Sequence, residues 1–210
     1  MEQLSSDKRR IVVIALNAFI CILEIVVLIW HIVERNRTAI LYYTNVSNLL
    51  SLITSAILVF SKGNVSDRLS LWRYRAVSMM TMTFLVVTLI LSPMAGKGAL
   101  QYFLFNGKYI LSHLCCPILS VAVWIAEPGY LGKKDIVRSI YPTLAYAAVL
   151  VPLNIARLFK GPYPFLQFWD IGPVMTIVWL CALTVMAILI GAGLWAMKFK
   201  VFHRPLSDKQ

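Results

Sequence analysis

A chain of 210 residues that is 60% hydrophobic and 14% charged, with positive mean hydropathy, is too apolar for an ordinary soluble domain. It points to one all-α domain over residues 1–210, a polytopic integral membrane protein. The net charge of +11 argues for topology rather than a nucleic-acid partner, because the twenty Lys and Arg lie between hydrophobic runs.

Six such runs are read at about 11–32, 40–60, 76–93, 109–126, 139–156 and 173–197, most of them matching the roughly twenty helical residues that a bilayer core requires. The first follows Lys8, Arg9 and Arg10 as a signal peptide would. It is too long for an apolar signal region and has no small-residue cleavage pattern, so it is expected to be retained. Asn17, Glu24 and His31 recur along it at seven-residue intervals, and Glu24 is the one acid deep within a run. Glu24 is read either as a functional carboxyl or as a protonated packing contact to a Ser or Asn.

The second run opens on Tyr42, Tyr43, Thr44, Asn45, Val46, Ser47 and Asn48. Thr44, Ser47, Asn48, Ser51 and Ser55 share one helical face, while Leu49, Leu50, Leu52, Ile53 and Ile57 fill the rest. Each hydroxyl or amide left unmet in hydrocarbon costs roughly 2–7 kcal/mol, so other helices must cover this stripe.

Lys8–Arg10, Lys62–Arg75, Lys133–Arg138 and Lys198–Lys209 together carry fourteen basic residues, and the alternating segments carry six. This bias places both termini in the cytoplasm. Thr44 then lies about 6 Å below the outer end of its helix, and His113, four residues past Tyr109, reaches a similar depth. Asn154, Arg157, the Gly161–Phe165 segment and Asp170 gather on the same outer side, with no comparable concentration expected inside. Arg68, Arg73 and Arg75 are expected to hold an inner loop against anionic lipid.

A threonine hydroxyl attacks only when a base takes its proton, and a neutral imidazole is suited to that task. Thr44 and His113 are therefore the candidate pair, with Ser47, Asn48 and Ser51 as nearby donors for an oxyanion. Pro117 is expected to kink the fourth helix and free the His113 carbonyl. The plainer alternatives are a capping or back-bonded Thr44 and a structural His113. His31 is a competing base in an interface belt, and His203 lies in the tail on the other side. Asn154 or Arg157 is read as a partner for a carboxylate head group, and Tyr163 and Phe165 as a lid or as interface anchors. Trp124, Trp169 and Trp195 are read as belt or packing residues. Cys21, Cys115, Cys116 and Cys181 have neither disulfide-framework nor zinc spacing.

Tyr43-Thr44-x-x-Ser47-Asn48-Leu49-Leu50, His113-x-x-x-Pro117 with Trp124, Tyr141-Pro142 and Pro162-Tyr163-Pro164-Phe165-Leu166 together resemble the prokaryotic predicted six-helix membrane proteins. Those are similar to the androgen-induced and androgen-dependent TFPI-regulating proteins of eukaryotes. Asn45, Val46 and the stretch from Gln167 to Asp170 depart from the pattern. The resemblance implies an intramembrane threonine hydrolase of a bacterial plasma membrane, acting on fatty acid esters of hydroxy fatty acids or related acyl esters. It implies Thr44 as nucleophile and His113 as base, no cofactor or metal, and a lipid or acyl ester as the partner. The oligomeric state stays open. The alternative is a transporter or lipid-binding protein using Glu24 and the stripe as a polar pathway, although no inverted repeat supports it. A third reading makes the protein a membrane-embedded assembly subunit, with the stripe as glue between helices.

Overall fold

Helix α1 (Glu2–Val33) turns Ile11, Phe19, Ile22, Ile25 and Ile32 outward and buries Asn17 and Glu24. The computed structural model, which describes residues 2–34, 38 and 41–202, thus makes this helix apolar outside and polar inside, as a bilayer demands. Arg35, Arg37, His203, Arg204 and Lys209 lie outside the described residues. α2 (Tyr43–Phe60) packs antiparallel to α1: Arg10 Nε donates to the Lys62 carbonyl at 2.6 Å, and Cys21 Sγ faces the Leu52 carbonyl at 3.8 Å.

α3 (Asp67–Ala95) begins well before the expected 76. Its opening turns carry Arg68, Arg73 and Arg75 and are too polar for a hydropathy reading to find. Capping starts the helix there instead. Ser66 Oγ accepts the Leu69 N–H at 3.2 Å, and Asp67 sits in the first turn, where a negative charge is favoured.

The short α4 (Ala99–Phe105) and α5 (Ile110–Ala126) meet at 87°. The sharp bend thus lies ahead of His113, rather than at Pro117 as expected. Residues Ile110–Cys115 of α5 form a π turn in which the Cys116 N–H reaches the Leu111 carbonyl, one residue before Pro117, which has no donor of its own. α3 does the same through Val87–Leu91 before Pro93, and there the Ser92 hydroxyl also bonds the Val87 carbonyl at 2.7 Å. α6 (Asp135–Arg138), α7 (Tyr141–Ile155) and α8 (Phe168–Phe202) complete the chain, with a break at Gly172 ahead of Pro173. Among the described residues no strand occurs, and a helix covers most of each of the six expected runs, with α2 starting at Tyr43 rather than 40 and α7 covering Tyr141–Ile155 of 139–156.

α3 is the central element and packs against α2, α5 and α8. Tyr74 stacks on the fully buried Trp124 at 5.3 Å and donates to the Gly191 carbonyl of α8. Gly191 permits this closeness, since a Cβ there would stand 2.5 Å from Ser139 Oγ, 3.2 Å from the Tyr74 hydroxyl and 3.3 Å from the Ile136 carbonyl. Ser139 is already tied to the Ile136 carbonyl at 2.7 Å and has little room to yield. Gly191→Ala is therefore expected to destabilise the protein by about 1–3 kcal/mol through overpacking, read as a lower midpoint in thermal unfolding. An unchanged midpoint would contradict this account of the α3–α8 contact.

Candidate functional site

The sequence supplies no side-chain cap for α2. Tyr42 at its N-cap is extended and makes no capping bond. A residue far along the chain takes the role: the Tyr163 hydroxyl accepts the Tyr43 N–H at 2.8 Å and lies within reach of the amide and hydroxyl of Thr44. Tyr163 and Phe165 are both buried, so the segment between Pro162 and Pro164 plugs into the bundle at the start of α2. Asn154 holds the same loop. Its Nδ2 donates to the Lys160 carbonyl at 2.7 Å and its Oδ1 accepts the Phe168 N–H at 2.8 Å, while Arg157 lies over the Trp169 ring at 4.3 Å.

Burial pushes the Tyr163 phenol up from 10.0 to about 12. A raised value in the folded state means that the associated stability is whole below the unfolded value and is lost as pH climbs through the folded one. Stability is thus expected to fall between about pH 10 and 12, by about 2–3 kcal/mol for this group at 1.36 kcal/mol per unit. Unfolding followed across that window, with Tyr163→Phe as the comparison, checks it. An equally steep loss in the variant would show that another group is responsible.

Below this cap the stripe of α2 is covered as expected. Ser47 Oγ donates to the Thr44 carbonyl at 2.8 Å and meets Thr83 Oγ1 of α3 at 3.0 Å. Ser51 Oγ lies 3.4 Å from Ser120 Oγ of α5, and Ser55 Oγ accepts from Arg73 Nη1 at 2.7 Å. Asn48 is buried with neither amide atom bonded. Glu24 is equally unpartnered, with its carboxyl beside Ser51 and Cys116.

His113 lies within the π turn of α5, a segment packed against both α1 and α2. Its ring is buried, stacks on Tyr109 at 5.2 Å and places Nδ1 2.8 Å from the Phe103 carbonyl. A carbonyl only accepts, so Nδ1 carries the hydrogen and Nε2 holds the free lone pair. Among the described residues Thr44 and His113 are not hydrogen-bonded to each other. Thr44 engages Ser47 and Tyr163, and His113 engages Phe103 and Tyr109.

An apolar groove of about 700 Å³ runs between α2, α3 and α7. It starts at Leu41 and Val46, beside the first turn of α2, passes Ile53, Met79 and Val149, and ends at Trp72 and Arg75.

The end of the bundle away from Thr44 corrects one expectation. It is expected to be poor in polar groups, yet it holds a buried network of charged and amide side chains. Arg73, expected at a lipid surface, is fully buried and grips Glu127 with two bonds, Nε to Oε2 at 3.1 Å and Nη2 to Oε1 at 2.6 Å. Asn17 Nδ2 joins the same oxygen at 2.9 Å, so one ion pair links α1, α2, α3 and α5. Lys198 of α8 covers the Trp124 ring at 4.3 Å and donates to its carbonyl at 3.1 Å. Sequence reasoning missed this because Arg73 and Glu127 each border a run, where a charge looks like an ordinary loop residue. At the other end Lys108 pairs with Glu34 and meets His31 Nδ1 at 3.4 Å. Its hydrogen bond holds the Glu34 carboxyl below the ordinary 4.5. Among the described residues no group of three His, Cys, Asp or Glu is placed to bind a metal.

These features define a helical bundle with a polar interior, in which, among the described residues, five helices, or six if the bent α4–α5 pair counts as one span, are long and apolar enough to cross a membrane. No protein-family model matches the chain, and no curated protein or solved structure shows significant similarity to it.

Proposed function

We propose that the protein is an intramembrane carboxylic ester hydrolase, acting on fatty acid esters of hydroxy fatty acids or related acyl esters. It sits in a bacterial plasma membrane with both termini cytoplasmic and the site in the outer half, an orientation supported by the excess of basic residues on the side of the termini. The observation that carries the reading is the bond from His113 Nδ1 to the Phe103 carbonyl, because it leaves Nε2 as the ring nitrogen free to take a proton. Catalytic hydrogen bonds commonly close only around substrate, and the mechanism has Thr44 and Nε2 come together on the reacting ester.

In this mechanism the Thr44 hydroxyl attacks the ester carbonyl while His113 Nε2 takes its proton. The tetrahedral oxyanion accepts from the Asn48 amide, one turn below Thr44 and otherwise unpartnered. Collapse breaks the ester C–O bond, and the imidazolium returns its proton to the departing alkoxide. Water, deprotonated by the same nitrogen, then hydrolyses the acyl-threonine. The acyl chain lies in the groove of about 700 Å³, which is of ordinary size for a ligand site and is walled by apolar side chains. The chemistry draws on no metal or cofactor. A panel of lipid esters, assayed with Thr44→Ala and His113→Ala, tests the reading together with fluorophosphonate labelling. Turnover or labelling that survives both substitutions refutes it.

A further inference from the structure

Glu24 has no part in that chemistry, and its surroundings require a separate account. It is 2% exposed in the second half of α1, and neither carboxyl oxygen has a hydrogen-bond partner. Facing it from α2 are Ser51 and, one turn away, Asn48, which is 4% exposed and unpaired at both amide atoms. From α5 come Cys116, beside the carboxyl, and Ser120, beside Ser51. The other titratable group beside it is Cys21, on α1 itself. The nearby cations are already matched, Arg73 of α3 by Glu127 and Lys108 by Glu34. Ionised Glu24 would thus stand buried without a countercharge, at a cost of several kcal/mol. Charge balance in the resting protein calls for a proton on it.

We propose that Glu24 is the proton-binding centre of a proton-conducting path between α1, α2 and α5. This inference does not rest on the hydrolase reading. Two helical turns from Glu24, about 10 Å along α1, His31 stands beside Lys108 and Glu34 at one end of the bundle. At the same spacing towards the other end, Asn17 bonds Glu127 through Nδ2 and keeps Oδ1 unpartnered. The hydroxyls of Ser51, Ser120 and Ser55 flank the interval. The resting Glu24 acid passes its proton to water on the Asn17 side, and a hydronium entering past His31 then gives its proton to the carboxylate and restores the acid. Water is the only co-reactant, and one positive charge crosses per cycle in the direction of the gradient.

The test uses purified full-length protein in liposomes loaded with a pH-sensitive dye, with proton entry driven by a potassium diffusion potential. The wild type is expected to acidify the lumen several-fold faster than protein-free vesicles, Glu24→Gln to fall back to the protein-free rate, and Glu24→Asp to keep part of the flux. A wild type at the protein-free rate, or Glu24→Gln as fast as the wild type, overturns the proposal. Should the Gln variant fail to reconstitute, dicyclohexylcarbodiimide on wild-type vesicles decides, because it modifies protonated carboxyls in apolar surroundings. Labelling at Glu24 with loss of flux is the expected result. Flux that survives full labelling, or no labelling of Glu24 at saturating reagent, overturns it.

Discussion

Glu127→Ala is expected to lower the unfolding free energy by about 3–5 kcal/mol, the usual cost of leaving one partner of a buried ion pair behind. The Arg73 guanidinium is fully buried and would keep only Ser55 and Thr54, neutral oxygens that leave its charge unbalanced. Asn17 would lose its acceptor on α5 in the same step, so the damage reaches α1 as well. Replacing both charges, as in Arg73→Met with Glu127→Leu, is expected to cost much less than either single change, because no charge is stranded and apolar side chains fill the space. Equilibrium unfolding in mixed micelles of the two single variants and the double variant measures the coupling. A loss under 1 kcal/mol for Glu127→Ala would mean that water reaches Arg73 in the folded protein.

Thr44→Ala is expected to reduce kcat/KM on a lipid ester by about a thousandfold or more, since in the proposed mechanism the acyl intermediate forms on its hydroxyl. His113→Ala is expected to cost about 10²–10⁴-fold, the range of a lost general base. The informative variant is the double one. In the proposed mechanism nucleophile and base act as a unit, so removing both should cost little more than removing Thr44 alone. Independent, multiplying effects would place His113 outside the reaction. His113→Ala also removes the bond to the Phe103 carbonyl and the stack on Tyr109, so activity is compared at a temperature below the measured unfolding midpoint of each variant.

The helices and the inward face of α2 were legible in the chain itself. Runs of about twenty apolar residues have few other stable forms, and Ser47, Asn48, Ser51 and Ser55 at helical spacing must turn away from lipid together. The same reasoning found Glu24, because a carboxyl seven residues from Asn17 and from His31 shares their face. What periodicity cannot carry is the identity of partners brought together by distant folding. Glu127 lies 54 residues from Arg73, and Tyr163 lies 120 residues from the amide that it caps. Hydropathy placed both charges in loops, whereas tertiary packing put them at 0% and 1% exposure against each other. The tautomer of His113 was likewise decided by the 87° bend between α4 and α5, which returns the Phe103 carbonyl to the ring ten residues later. Sequence determined which faces must be hidden, since solvation acts on each residue where it stands. Which hidden groups meet depended on the three-dimensional path of the chain, because a hydrogen bond or ion pair requires two atoms within about 3 Å of each other.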